Sequence, residues 1–442
     1  MVRWRIWFVL VCALILVTLT ASAQEEQEID LAQPLTLEQC IQLAVENSTN
    51  MRNARINLAI DGLRVKDARA RYFPDIFLDG RYNFSDALDF GFERENYDLG
   101  VSAQYTLWDN GAREANFSQA KERRNATINR NEQTKQNLIF QVTQAYYNVL
   151  KAQELVKVDR EILERSRENT NRVRAFVEAG IQIEADVATA QVREANDELS
   201  LLNDQNALEI AMATLPRIMG LDPATLITVA EDTDYELYRD KGQIEVIELS
   251  VEEAIQRAFE TRPEFKELQS SINQLEWGLT LARLDRWPQL NAEYNYGVNL
   301  DDYLHERENF TDFRSWEVRT TLNFPIFDGG VTKRRVQEAE LSLEQVREDA
   351  SDLERSIALD VRQAYLNLKR AEIAVEISNT QVRNAELSLQ VIRGRFEQEL
   401  SILLELLNAQ TEFAQALTNQ VRAFYDYKIA QVALQRAMGV IQ

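Results

Sequence analysis

The chain carries the same lettering twice, and this duplication constrains its architecture more than any other feature. Residues 35–44 (LTLEQCIQLA) match residues 249–258 (LSVEEAIQRA), and Tyr72-Phe73-Pro74 answers Arg286-Trp287-Pro288, each 214 positions later. Further on, residues 107–111 (LWDNG) answer 326–330 (IFDGG), at a shift of 219. Ala145-Tyr146 and Ala364-Tyr365, Ala190-Gln191 and Ala409-Gln410, and Met219-Gly220 and Met438-Gly439 keep that shift. The change of shift gives the second copy about five extra residues between its proline-led segment and its Asp-Gly turn, where loops accept insertions. The organisation reads as a leader over 1–23, a first repeat over 24–220, an acidic linker over 221–248, and a second repeat over 249–442.

Each copy reads helix, strand, strand, long helix, helix. Helices are expected over 36–72, 112–179 and 185–215, and again over 251–286, 331–398 and 403–438. Pro74 and Pro288 end the first helix of each copy, because the residue before proline leaves the helical region. Asp109-Asn110-Gly111 and Asp328-Gly329-Gly330 are strand-to-helix turns that open the long helices.

The strands between these turns alternate. Ile76, Leu78, Tyr82 and Phe84 share a face against Asp79, Arg81, Asn83 and Ser85. Leu99, Val101, Ala103, Tyr105 and Leu107 do so against Asp98, Ser102, Gln104 and Thr106. The second copy sets Leu290, Ala292, Tyr294, Tyr296 and Val298 against Asn291, Glu293, Asn295 and Asn299. Its last strand sets Trp316, Val318, Leu322 and Phe324 against Glu317, Arg319, Thr321 and Asn323. Segments of about ten residues, apolar outward and polar inward, are the mark of a transmembrane barrel, although a half-buried soluble β-sandwich has the same period. Four strands cannot close a sizeable barrel. In lipid, several chains would have to share one.

The long helices contain about 67 residues without proline, roughly 100 Å at 1.5 Å per residue. Near-heptad apolar positions (Leu155, Val158, Ile162, Val173 and Val177; Ile373, Ile377, Leu387 and Val391) suggest antiparallel coiled coils with the returning helices. These stripes are read as packing rather than as ligand sites.

The N-terminus reads as an address. Arg3 and Arg5 precede an apolar run over 6–19, and Ala21-Ser22-Ala23 follows as a small-residue cleavage site. Removing this leader takes two arginines and no acid from a formal charge of -22, leaving -24. So negative a chain argues against nucleic acid as a partner. Cys12 leaves with the leader, and Cys40 alone remains, so no intrachain disulfide can form. After residue 23 no apolar run of about 18 residues occurs, which leaves a closed barrel as the only means of crossing a membrane.

These marks together resemble the TolC family of outer-membrane efflux proteins. The resemblance rests on Phe327-Asp328-Gly329-Gly330 at the strand-to-helix turn, and on Phe176-Val177-Glu178-Ala179-Gly180 with Asp186, Ala190 and Gln191 at the hairpin. Ala145, Tyr146 and Asn148, repeated at Ala364, Tyr365 and Asn367, belong to it as well. It covers nearly the whole mature chain. It implies a mixed membrane α/β fold in which four strands per protomer build a trimeric twelve-stranded β-barrel above a periplasmic α-helical tunnel of coiled-coil helices. Loops over 86–96 and 301–312 would face outside the cell, and hairpin tips near Gly180 and Leu400 would form the periplasmic entrance. The short helices would stack end to end to match the long ones.

By this resemblance, Asp186 and its repeat partner Glu405, with Glu184 as a weaker neighbour, line the entrance. Three copies would gather carboxylates into a ring that attracts cations. The same acids also suit the positive start of a helix. Gly180, fit for a left-handed turn, is matched by Glu399, so the second tip is expected to turn differently.

Catalysis finds little support. His305 is the only histidine and falls in an expected outer loop, and Cys40 reads as a small core residue. The expected function is a passive outer-membrane exit duct of a tripartite efflux or type I secretion system, without cofactor or metal. Implied partners are two further copies, a periplasmic adaptor (membrane fusion) protein, an inner-membrane pump of the RND, ABC or MFS type, and outer-membrane lipid. The rival reading is a structural or adhesive coiled-coil trimer of the envelope that transports nothing.

Overall fold

A computed structural model describes residues 33–87, 92–230, 233–241, 244, 247, 249–299, 314–398 and 400–441. The leader, Glu399 and the whole 301–312 loop, with His305, lie outside these residues. The elements run α1 (Leu37–Asn47), α2 (Thr49–Ala70), β1 (Asp75–Ala87), β2 (Phe92–Trp108), α3 (Ala112–Glu178) and α4 (Glu184–Met219). There follow α5 (Thr233–Lys241), α6 (Val251–Thr261), α7 (Pro263–Leu284), β3 (Gln289–Asn299), β4 (Arg314–Asn323), α8 (Val331–Glu397) and α9 (Leu403–Ala437).

The first helix of each copy is two helices, not one. Arg262 breaks the second copy because it precedes Pro263 and adopts ψ 128°. Ser48 breaks the first with ψ 132° and no proline. The cause there is tertiary: the α4 C-terminus arrives at the break, and a Cβ on Gly220 would lie 2.5 Å from the Asn47 carbonyl oxygen. Gly439, at the end of α9, meets the other break, where a Cβ would lie 3.0 Å from the Arg262 backbone. Each copy therefore stacks its short helices end to end with its returning helix, alongside a continuous helix of 67 residues. The acidic linker is also more ordered than expected. It holds α5, whose Tyr235 and Tyr238 are buried against Phe424 and Tyr425 of α9, with ring centroids 4.6–5.5 Å apart.

Both long helices start from the expected turns. Asp109 accepts from the backbone N–H groups of Gly111 and Arg113, and Asp328 from those of Gly330 and Thr332. Gly111 and Gly330 are left-handed, with φ 90° and 80°. Hydrogen bonds from the Thr332 side chain and backbone, and from the Gly330 N–H, hold the Asp328 carboxyl down at about 2.

The strands form one antiparallel sheet in the order β1-β2-β3-β4. The central pair joins the two copies. Its register places Ile76 beside Ala103, Ala103 beside Tyr294, and Tyr294 beside Val318. The opposite face carries Asp79, Ser102, Asn295 and Glu317, with Ser102 donating to Asp79 at 2.8 Å.

Two separate apolar clusters hold the helices. The larger lies around the middle and gathers Val142, Val149, Leu215, Val361, Phe424 and Tyr425. The smaller lies at the hairpin tips and gathers Val173, Ala190, Phe396, Leu403, Leu406 and Phe413. One expectation about packing needs correction. Ile373, Ile377, Leu387 and Val391 are more than half exposed within the chain, and the stripe of α8 that packs internally is Leu368, Ala371, Val375, Leu389 and Phe396. The helix has two apolar stripes, and the sequence pattern does not say which one a given partner covers.

The left-handed glycines separate two effects. Gly180 is surrounded by open space, so Gly180→Ala meets only the left-handed penalty of about 1–2 kcal/mol. Gly220→Ala adds a steric clash and is expected to lose on the order of 2–4 kcal/mol in unfolding of the detergent-solubilised protein. Equal losses would mean that the approach to Asn47 is not what requires glycine.

Candidate functional site

At the end of the helices remote from the sheet, two turns carry the residues singled out from sequence. In the first tip α3 ends at Gly180, which has φ 76°. Ile181 N–H donates back to the Phe176 carbonyl at 2.9 Å. In the second tip Leu400 N–H donates to the Arg395 carbonyl at 2.8 Å. These are repeat-equivalent bonds, so the closing hydrogen bond is retained although Glu399 stands where the first copy has Gly180. The expected difference between the tips does not extend to that bond.

The three acids open the returning helices. Glu184 and Asp186 sit in the first turn of α4, and Glu405 in the first turn of α9. Asp186 accepts from the Ile183 N–H at 3.4 Å, and Glu405 accepts from the Ser401 hydroxyl. All three keep contact with solvent, Asp186 least. For Asp186 and Glu405 the helix-start role is thus visible in the hydrogen bonds, and it is compatible with a second role for the charge.

The tips are locked together. Phe176 and Phe396 meet at 6.2 Å between ring centroids, and Arg172 reaches Glu397 at 3.5 Å. Acids of both hairpins therefore belong to one assembled end. Around them Ile181, Ile183, Leu400 and Ile402 are more than half exposed. Leu400 was singled out from sequence as a tip residue; Ile181, Ile183 and Ile402 were not, although the repeat shift pairs Ile181 with Leu400 and Ile183 with Ile402.

The turns at Asp109, Gly111, Asp328 and Gly330 lie roughly 100 Å away, at the other end of the 67-residue helices. There Arg113 bonds Asp109 at 2.9 Å, and Asn110 donates to the Pro288 carbonyl at 2.7 Å, fastening the first copy to the second beneath the sheet. Above them the sheet keeps the alternation of apolar and polar faces read from the sequence. Ile76, Leu78, Trp316, Val318 and Leu322 are all at least 60% exposed on one face, which a water-soluble sandwich would bury. No helix among the described residues is long and apolar enough to cross a membrane.

A family model for outer membrane efflux proteins matches the chain twice, over residues 40–221 and 254–440. The chain belongs to the outer membrane efflux protein family. It is an outer-membrane exit duct of the efflux or type I secretion kind, extending into the periplasm. Among similar proteins, CyaE of Bordetella pertussis is 24% identical over 92% of this chain and 84% of its own length. TolC of Vibrio cholerae is 25% identical over 85% and 84%. The fold is shared with the solved structures of CusC, at TM-score 0.79 and 16% identity over 91% of this chain and 92% of that one, and of the open-state MtrE channel of Neisseria gonorrhoeae, at 0.79 and 19% over 91% and 89%.

In this efflux-family chain the capping and charge roles of Asp186 can be separated. Asparagine keeps the acceptor that meets Ile183, so Asp186→Asn is expected to change stability by only a few tenths of a kcal/mol. Asp186→Ala should lose about 1 kcal/mol. Thermal unfolding of both variants checks this, and a large loss with asparagine would mean that the charge itself holds the tip.

Proposed function

We propose that three copies of this chain close one twelve-stranded barrel and one helical tunnel, making a passive conduit from the periplasm to the outside. The carrying observation is the sheet: an exposed apolar face, a polar face, and two outer strands, β1 and β4, each with one unpaired edge. An open edge cannot persist in hydrocarbon, so the edges must meet those of other copies. The exposed stripe Leu359, Leu366, Ile373 and Ile377 on α8, with Val192, Leu199 and Leu202 on α4, supplies apolar helix faces for the same association. The division into repeats over 24–220 and 249–442, joined by 221–248, fits such a pseudo-sixfold wall.

The energy would come from an inner-membrane pump of the RND, ABC or MFS type, joined through a periplasmic adaptor at the tips. Relatives named for protease secretion (AprF of Pseudomonas aeruginosa) and for efflux (TtgC of Pseudomonas putida) support both kinds of system. Asp186 and Glu405, with Glu184 nearby, would set a preference for cations at the entrance. Their motivation is the equivalent place in the two tips, with no basic residue between Gly180 and Thr189 or between Leu400 and Asn408.

Three measurements test this reading. Cross-linking in mild detergent should trap three chains, and a monomer that still inserts into bilayers would refute the shared barrel. Val318→Arg places charge on the apolar face and should lose about 2–4 kcal/mol near mid-bilayer, seen as lower folding yield in membranes, while Thr321→Arg on the polar face is tolerated. In single-channel recording, Asp186→Asn combined with Glu405→Gln should lower cation selectivity and weaken block by multivalent cations from the periplasmic side. Unchanged selectivity and block would leave these acids as helix-start residues alone.

A further inference from the structure

Between the middle cluster and the tip cluster, the seam of the first hairpin turns polar. Along α3 the buried side chains run from Leu155 and Val156 through Asp159, Leu163, Ser166, Asn169 and Thr170 before Val173 restores an apolar surface. Along α4 only Asp197 is buried between Ala190 and Leu215. Asp159 and Ser166 are spaced by seven residues on α3, and Asp197 and Asp204 by seven on α4. The antiparallel register that packs Val173 with Ala190 sets Ser166 beside Asp197, which Arg193 pairs at 3.1 Å, and Asp159 beside Asp204. Asp159 is only 7% exposed, so its carboxyl is largely withdrawn from water, with Asp204 as its neighbour on α4.

Two carboxyls can hydrogen-bond each other only when one carries a proton, and two bare carboxylates at that range repel. The charged groups facing Asp159 come from both helices packed against α3: Asp204 and Asp197 from α4, and Arg422 from α9. Burial first, then Asp204 and Asp197, raise the Asp159 carboxyl to about 6, with the Arg422 guanidinium pulling the other way.

The duplication supplies an internal comparison. The shift of 219 places Ser378, Ala385, Ala416 and Ala423 where the first copy has Asp159, Ser166, Asp197 and Asp204. Ser378 and Ala416 are buried in the α8–α9 seam as Asp159 and Asp197 are in the first. A hairpin of this geometry therefore packs without the acids, and the carboxyl pair is not a demand of the fold.

We propose that Asp159 and Asp204 form a proton-operated clasp in the first hairpin: one shared proton ties α3 to α4, and its loss loosens the seam on the tip side. The sign follows from the raised carboxyl. The folded hairpin holds a proton that the unfolded chain has released, so the clasp is present below about pH 6 and is lost as pH rises through that value. The tip cluster beyond the polar band then swings with the hairpin, which makes the entrance responsive to the acidity of the periplasm. The clasp itself depends on helix packing and is testable whether or not the channel conducts.

The test is amide hydrogen exchange on the full-length protein in detergent, corrected for the intrinsic pH dependence of exchange, at about pH 5 and about pH 7.5. Protection over residues 197–210 should fall several-fold between the two, with a midpoint near 6, while the equivalent segment 416–429 stays constant. Asp159→Ser with Asp204→Ala, the residues the second copy already uses, should remove the difference. Asp204→Asn, which keeps a hydrogen-bonding partner and removes the charge, should remove it as well. The proposal is overturned if the wild-type hairpin is equally protected at both pH values, if both hairpins loosen alike, or if these variants keep the wild-type fall.

Discussion

A backbone N–H or C=O that faces hydrocarbon has nothing to bond, and the rest of this molecule is arranged around that fact. The four strands leave one open edge on β1 and another on β4. Within the sheet the backbone of each strand is paired with the next, apart from an irregularity between Thr106 and Trp108, and the apolar side chains stand mainly on one face, Phe77 being on the other. Closure across copies is the only arrangement that removes the edges while keeping that face in lipid. The polar face then lines an interior, where Asp79, Ser102, Glu317 and Arg319 find hydrogen-bonding and ionic partners among themselves. The apolar outer face and the charged inner face are thus two consequences of one pairing register.

Helix length is the second consequence. A sheet set in the outer membrane has to be joined to machinery far below it, and α3 and α8 span that distance without interruption. Their partners cannot run as single helices, because each has to leave the sheet in one segment and return from the tip in another. The two segments meet at Ser48 in one copy and Arg262 in the other. Both meetings bring the end of the returning helix so close that a glycine is needed, Gly220 in one and Gly439 in the other. The aromatic clasp of Tyr235 and Tyr238 on Phe424 then binds the linker between copies to this level, where the larger apolar cluster is centred.

Much of this was legible in the sequence because strand period and turn chemistry are local. The alternation at 76–84 and 290–298 needs no distant partner to be read, and Asp109 and Asp328 cap helices they nearly touch in the chain. What was not legible depends on contacts between distant segments. Ser48 has no proline to announce the break, and only the arrival of Gly220 explains it. The stripe through Ile373 and Leu387 shows a heptad without showing which neighbour covers it. Tyr235 and Tyr238 sit in an acidic stretch that reads as a linker until Phe424 is placed beside them. The paired acids at the hairpin tips were singled out through the repeat, yet Asp159 and Asp204 were not. A lone aspartate on a helix of this charge looks solvated until the antiparallel seam sets a second one opposite.

The two hairpins show what duplication permits. Both copies solve the same packing problem, with a helix of 67 residues, a tight turn closed by the same hydrogen bond, and a returning helix that ends on glycine. The α8–α9 seam is filled at the equivalent positions by Ser378, Ala385, Ala416 and Ala423, small groups that ask nothing of the solvent. The α3–α4 seam places carboxyls at three of those four positions, Asp159, Asp197 and Asp204, and Asn169 Oδ1 is buried nearby without a hydrogen-bond partner among the described residues. Buried polar groups of this kind weaken a seam relative to well-packed apolar ones. A chain that needed only rigidity had the cheaper solution available in its own second half. The two hairpins therefore differ between their apolar clusters, with small side chains in the α8–α9 seam and buried polar ones in the α3–α4 seam, so under the proposed clasp any bending of the tips would be concentrated at that band in the first hairpin.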